Sequence, residues 1–448
     1  NVSLVMEALK ERGLLRQNAP HLVSNLAFVV PNYEWWEAPF YGVGLKVYNL
    51  LSGKYGFGDS VVLTKEETLE RLPTIRTEGL RGGVVYYDGQ FDDARLLINM
   101  AETAAEQGAA LLNYAPVAAL TRDAHGFVNG VVASDLESGR EIKAAARVVI
   151  NAGGPFCDAV RRLADPALPP LVVPSQGIHL VFDGDVLPGG AAIMVPHTSD
   201  GRVMFAIPWH GHTVVGTTDT PIEEASLEPR PFDREIEFVL ETASRYLRRA
   251  LTRADVRSVF VGIRPLVRSG DAANTAALSR DHLIHIDPTG LITVTGGKWT
   301  TWRGMAEHCV NTAAMLEHLP EKPCPTRTLN IHGFHRHAER FGPLAAYGSD
   351  ALHIQDLVHA EPALGESLHA ALACCGAEVV WAARFEMART VEDVLARRTR
   401  ALFLDARAAI EMAPKAASLL ARELGRDAAW EASQVAAFRK LASGYLVA

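Results

Sequence analysis

The sequence has little cysteine, few aromatic residues (7%) and no excess of positive charge. Its five cysteines (Cys157, Cys309, Cys324, Cys374, Cys375) form no CxxC pair and follow no regular spacing. That excludes a disulfide scaffold and a cysteine zinc site, and fits a reducing, cytoplasmic setting. A formal net charge of −8 excludes the dense Lys/Arg surface with which nucleic-acid binders displace phosphate counterions. No window approaches the roughly 20 apolar residues of a membrane-spanning helix, and no secretory leader is read at its start, so membrane contact is expected to be peripheral. A dinucleotide fingerprint is missing too: Gly42-Val43-Gly44 meets Val47, and Gly56-Phe57-Gly58 meets Val61, where GxGxxG needs its third glycine.

What is present is a globular composition. The 448 residues, 48% hydrophobic and 21% charged, allow two to four domains. Leu4, Val5, Ala8 and Leu9 follow a helical period, so the sequence reads as opening inside a helix. Residues 84–87 read as a strand, 92–108 as a helix, 111–114 as a strand, and 117–151 as a β-meander ending in Ala152-Gly153-Gly154-Pro155. Short apolar runs over 174–219 predict an antiparallel sheet. A helix over 232–251 follows, then a strand from 258 leading into Gly262-Ile263-Arg264-Pro265. After prolines at 320, 323 and 325, the residues from about 341 onward read as helix and short loop.

Four features point to chemistry. A strand over 291–294 runs into Gly296-Gly297-Lys298-Trp299-Thr300-Thr301 and a helix, a pattern that brings backbone, helix N-terminus and cation to one ligand. It is not a P-loop, because Ile292 stands where GxxxxGK[ST] needs glycine, and a structural Gly-Gly turn is the plainer alternative. Arg264 and Arg280 suit a phosphate or carboxylate, or else surface ion pairs. His179 alternates with apolar neighbours on a strand, as a neutral general base or a core histidine would. Trp35, Trp36 and residues 40–51 suit a membrane surface, although a helix covering the core is the commoner explanation. His332, His335 and His337 lack carboxylate or cysteine ligands at useful spacing, so no metal site is expected there.

Ala19-Pro20-His21-Leu22, Ile207-Pro208-Trp209, Gly216-Thr217-Thr218-Asp219, Gly262-Ile263-Arg264-Pro265-Leu266, Gly296-Gly297-Lys298-Trp299-Thr300-Thr301 and Arg389-Thr390 through Arg397-Arg398-Thr399-Arg400 stand in an order that resembles the FAD-dependent glycerol-3-phosphate dehydrogenases. The resemblance implies an α/β (α+β) fold. Its parts are an incomplete glutathione-reductase-like FAD-binding domain (1–20, 90–160, 275–320), an antiparallel β substrate domain interleaved with it (21–89, 161–274) and a C-terminal α-helical cap (326–448). It also implies oxidation of sn-glycerol 3-phosphate with FAD, electrons passing to membrane quinone, peripheral contact with the cytoplasmic face of the inner membrane, and a homodimer. Val117, Ala152, Gly153, Gly296, Gly297, Thr300 and Thr301 match flavin-facing positions, His179 and Arg264 the reacting oxygen, and Arg280 and Lys298 the phosphate. On the same resemblance, the family's GxGxxG strand precedes the helix with which this sequence opens. The alternatives are a flavoprotein oxidase of glycerol 3-phosphate or of amines and amino acids, or an inactive truncated chain that binds no FAD.

Overall fold

The computed structural model describes residues 2–196, 198, 201–268 and 281–447. The chain opens with α1 (Val2–Asn18), β1 (Val23–Asn32), α2 (Glu37–Ser52), β2 (Val61–Leu63), α3 (Lys65–Arg71), β3 (Gly82–Phe91) and α4 (Asp93–Glu106). It continues through β4 (Val117–Arg122), β5 (Val128–Ser134), β6 (Glu141–Ala145), β7 (Ile150–Asn151), α5 (Cys157–Ala164) and β8 (Val172–Asp183). Then come β9 (Ala192–Val195), β10 (Met204–Trp209), β11 (His212–Gly216), β12 (Thr220–Pro221), α6 (Asp233–Ser244), β13 (Ser258–Val267), β14 (His282–Ile286), β15 (Ile292–Gly296) and α7 (Trp302–Leu316). The last part holds α8 (Ala351–Ala360), the hairpin β16 (Ser367–His369) and β17 (Leu372–Cys375), α9 (Gly376–Arg384), α10 (Ala401–Leu404), α11 (Ala406–Leu424) and α12 (Ala428–Ala442).

Among the described residues, nine strands form one large sheet in the order β12-β8-β11-β10-β9-β1-β3-β2, with β13 on the other edge of β8. Every pairing is antiparallel except β1 with β9. The antiparallel sheet expected over 174–219 is its centre. Val29, Leu180, Phe182, Ile193 and Val215 from the sheet and Ile236, Val239 and Leu240 from α6 close over one core. A second sheet runs β14-β15-β7, with β15 parallel to β7. In the C-terminal part, Ala409, Ala413, Ala416 and Ala417 bury a small-residue face of α11, which lets neighbouring helices approach closely.

Three expected elements differ, each for a tertiary reason. Residues 111–114 form no strand: Tyr114 has φ +53°, Asn113 Nδ2 donates to Met387 O at 2.8 Å, and Tyr114 Oη donates to Asp393 Oδ2 at 2.7 Å. The segment is pinned to the C-terminal helices instead. The helix expected over 232–251 stops at Ser244, because Arg76 N–H bonds Tyr246 O and Arg248 N–H bonds Thr74 O, drawing the chain into a bridge with 74–76. Finally, α2 does not cover the core with its apolar stripe. Tyr41 and Leu45 pack inward, while Phe40, Val43, Val47 and Leu50 face solvent.

Segments far apart in sequence are tied by buried arginine forks. Arg303 donates from Nε and Nη2 to the two oxygens of Glu11, each at 2.7 Å, joining α7 to α1. Arg161 grips Asp287 in the same two-bond way, joining α5 to the end of β14. Arg95 on α4 pairs with Glu386, and its guanidinium lies over the Tyr347 ring. Removing one partner of a buried pair strands the other charge. Arg95→Ala should therefore destabilise the chain by about 3–5 kcal/mol, read as a lowered urea midpoint. Arg384→Ala, which breaks the more exposed pair with Glu423, should cost no more than about 1 kcal/mol.

Candidate active site

The site is built on β8. In its register His179 faces Phe260 of β13 on one side and Gly216 of β11 on the other. Two residues along, Gly177 faces Gly262, and two further on Ser175 faces Arg264. Alternate residues share a face, so His179, Gly177, Phe260, Gly262 and Arg264 all look the same way, with a glycine pair making a depression between the histidine and the arginine. The Arg264 side chain leans into that depression. A Cβ on Gly177 would lie 2.6 Å from Arg264 Nη1 and 2.5 Å from Thr218 O, whereas one on Gly262 would meet nothing within 4 Å.

Arg264 is held by the loop after β11. Its Nη1 donates to Thr218 O at 3.0 Å and to Asp219 Oδ1 at 3.3 Å, and its Nη2 donates to Thr217 Oγ1 at 3.1 Å. That loop is anchored by Glu235, a buried carboxylate near the start of α6. Glu235 accepts from Thr218 Oγ1 (3.1 Å), Thr220 Oγ1 (2.5 Å), Gln176 Nε2 (2.8 Å) and the Phe232 N–H (3.0 Å). Sequence reasoning missed Glu235. Its only local signal is its place three residues after Phe232, where a carboxylate caps the helix start.

The half-buried His179 ring stacks on Phe260, with centroids 5.1 Å apart. Burial, helped by the Arg264 charge, pulls its pKa down to about 4, so it is neutral at physiological pH. It opens onto a cavity of about 350 Å³ with walls from Phe28, Phe205, Trp209, Thr217, Phe260 and Arg400. Arg400 comes from the C-terminal part and was read only as part of a motif. It bonds Asp93 Oδ1 at 3.1 Å and lies over the rings of Phe403 and Trp209.

The other expected residues gather elsewhere. Ala152 and Gly153 follow β7, and Gly296 and Gly297 end β15, so both glycine turns leave the carboxyl ends of two adjacent parallel strands, the edge at which α/β sheets take ligands. Gly296 and Gly297 have φ of +74° and +72°, and a Cβ on Gly296 would lie 2.5 Å from Val267 Cγ2, so the turn packs against the end of the strand that carries Arg264. Ala152, Gly153 and Lys298 are exposed. Thr301 bonds Lys298 O through its N–H and hydroxyl, and Thr300 shares the single turn before α7. Val117 is exposed at the start of β4. Among the described residues neither Arg264 nor Lys298 lines the His179 cavity, and Arg280 lies outside the described residues.

Comparison with known proteins decides the family. Residues 1–311 match the FAD dependent oxidoreductase family, and residues 289–431 match the C-terminal domain of alpha-glycerophosphate oxidase. The mitochondrial glycerol-3-phosphate dehydrogenase of Arabidopsis thaliana is 38% identical over 94% of this chain and 72% of its own length. This chain belongs to the FAD-dependent glycerol-3-phosphate dehydrogenase family. The probable mitochondrial member from Caenorhabditis elegans is also 38% identical, over 96% of this chain. This chain spans 63% of that relative and 61% of the rat one. The glycerol-3-phosphate dehydrogenase of Bacillus halodurans, solved with FAD, superposes with a TM-score of 0.80 at 28% identity, over 98% of this chain and 85% of its own. The expected fold class is thereby borne out: a FAD-oxidoreductase α/β fold with a substrate sheet and a C-terminal helical domain.

Two measurements test the geometry. Gly177→Ala should destabilise by about 1–3 kcal/mol through overpacking against Arg264, while Gly262→Ala should stay within about 1 kcal/mol of the parent. For His179, the unfolded ring binds its proton near pH 6.5 and the folded one only near 4, so stability is lost as pH falls through that window. An imidazole NMR titration should place the His179 midpoint near 4, and His179→Gln should reduce the stability slope between pH 6.5 and 4, the remainder coming from His21, which burial also lowers to about 4.

Proposed function

We propose that the chain carries the substrate-binding and catalytic part of an enzyme that oxidises sn-glycerol 3-phosphate to dihydroxyacetone phosphate with FAD, passing the electrons to a membrane quinone. The observation that carries this reading is the shared face of β8 and β13, where a neutral imidazole and a pinned guanidinium flank a glycine-made depression. Family membership supplies the substrate class, since the relatives carry the name glycerol-3-phosphate dehydrogenase.

The residues present fit the flavin-facing share of a FAD site. Small residues end two parallel neighbouring strands, exposed at Ala152 and Gly153 and half-buried at Gly296 and Gly297, and the Gly296 turn leaves no room for a side chain where it meets Val267 and Asp281 O. No GxGxxG for the pyrophosphate occurs in the sequence. FAD, when bound, supplies the hydride acceptor. His179 takes the proton of the substrate C2 hydroxyl on an imidazole nitrogen, and the substrate dianion raises its low pKa towards neutrality. Arg264, unable to lose its own proton, stabilises the developing alkoxide. Lys298 and Arg280 hold the phosphate away from the reacting carbon.

Membrane contact is read from α2. Phe40, Val43, Val47 and Leu50 form one exposed stripe at spacings of three and four, Leu50 being 82% exposed, and Trp35 and Lys46 flank it. No helix among the described residues is long and apolar enough to cross a membrane. A stripe of this kind beside a cation suits the interface of anionic lipid.

With FAD added, the purified chain should take on flavin absorbance and reduce a quinone analogue when given sn-glycerol 3-phosphate. A chain that stays colourless overturns the flavin assignment, and stoichiometric peroxide under air favours an oxidase. His179→Ala should lower kcat by about 10²–10⁴-fold with little change in KM. Lys298→Ala should raise KM by about tenfold or more. Phe40→Asp with Leu50→Asp should release the chain from anionic vesicles in a sedimentation assay without lowering its melting temperature.

A further inference from the structure

A second polar cluster lies away from the His179 cavity, where α4 meets the stretch between α7 and α8. Its parts come from three places in the sequence. Glu102 and Glu106 share one face of α4, His332 follows the proline-rich linker, and Asp350 stands immediately before α8. His332 Nε2 lies 2.8 Å from Asp350 Oδ2 and 3.7 Å from Glu102 Oε2. One ligand atom from each of Glu102, His332 and Asp350 falls within 4.8 Å of the others. In a tetrahedral zinc site with nitrogen and oxygen ligands the donor atoms stand about 3.3 Å apart, so the two measured separations bracket that value.

Two further observations point to a cation. Glu102 Oε2 is closed off from solvent and receives no hydrogen bond, which leaves an enclosed acceptor atom unsatisfied. His332 Nδ1 is 2.6 Å from Glu106 Oε1. A carboxylate on the far nitrogen is the outer-shell arrangement that fixes the tautomer of a zinc-binding histidine and turns Nε2 towards the metal. A cavity of about 600 Å³ lined by Glu102, Glu106, His332, Asp350 and His353 admits an ion and its water. The absence of ligands at useful sequence spacing around His332 is thus repaired by the fold, which brings both carboxylates from elsewhere.

We propose that Glu102, His332 and Asp350 bind one divalent transition cation of the zinc class, with Glu106 orienting His332 and water completing the coordination. One imidazole and two carboxylates suit zinc or manganese better than magnesium or calcium, which take oxygen ligands alone. The ion clasps α4 to the start of the C-terminal helices.

The test is a titration of Zn²⁺ into the full chain against a chromophoric chelator of micromolar affinity. The parent should bind one equivalent more tightly than the chelator, with millimolar Mg²⁺ failing to displace it. His332→Ala and Asp350→Asn should each lose that equivalent, and the near-isosteric Glu102→Gln should weaken it at least tenfold. Circular dichroism and melting of the metal-free variants check folding. Should the first two variants fail to fold, the decision rests on Glu102→Gln and on the zinc-dependent rise in melting temperature, which it should lose. Zinc no tighter than the chelator, or bound equally by the parent and Glu102→Gln, overturns the site. Equal binding would place the zinc on other ligands, such as the His282–His308 pair, whose nitrogens are 3.0 Å apart.

Discussion

The register of β8 between β11 and β13 is the constraint on which the candidate active site depends. A slip of one residue in this strand would turn His179 to the opposite face and set a side chain where Gly177 now leaves room for Arg264. The ladder is fixed from outside by buried contacts. Ile178, Leu180, Val181 and Phe182 are fully covered, and the Ile178 N–H bonds Thr218 Oγ1 at 3.0 Å. The same Thr218 reaches Glu235, so the strand, the loop that pins Arg264 and the first turn of α6 form one hydrogen-bonded unit.

Around that unit the chain interleaves, and charge closes the seams. The forks of Arg303 on Glu11 and Arg161 on Asp287 each satisfy a carboxylate with two parallel bonds, the geometry that best offsets the desolvation of both ions. Arg95 does the same with Glu386, while Arg400 makes one contact to each of Asp92 and Asp93, at 3.4 and 3.1 Å, between the start of α4 and the C-terminal helices. Through Arg400 the C-terminal part reaches the His179 cavity itself, which makes it a wall of that cavity and not only a cover.

Much of this was legible in the sequence. The apolar runs that became β8 to β11, the helical period of α4 and the two glycine turns all stand where local pattern puts them. The misplaced elements were those whose local preference loses to a distant partner. Residues 111–114 read as a short apolar strand, yet Tyr114 is drawn to Asp393, 279 residues away. α2 has the composition of a core helix but turns its stripe outward, because Tyr41 and Leu45 already fill the space against the sheet. Glu235 carried only the signal of a helix cap, Arg400 only its place in a motif, and the partners of His332 none, since what defines the role of each is proximity across the fold.

The sequence by itself determined the chemical inventory: the order of motifs that identifies the family, His179, Arg264 and Lys298 as the polar residues within apolar or glycine-rich segments, and the lack of a GxGxxG. Local patterning suffices for these because strand alternation and glycine turns are properties of neighbouring residues. Only the tertiary structure decided that His179 and Arg264 share a face across a glycine pair, that Glu235 holds the loop between them, and that His332 meets two carboxylates. Those relations depend on strand register and on buried ion pairs between distant segments, and both arise only when the whole chain packs.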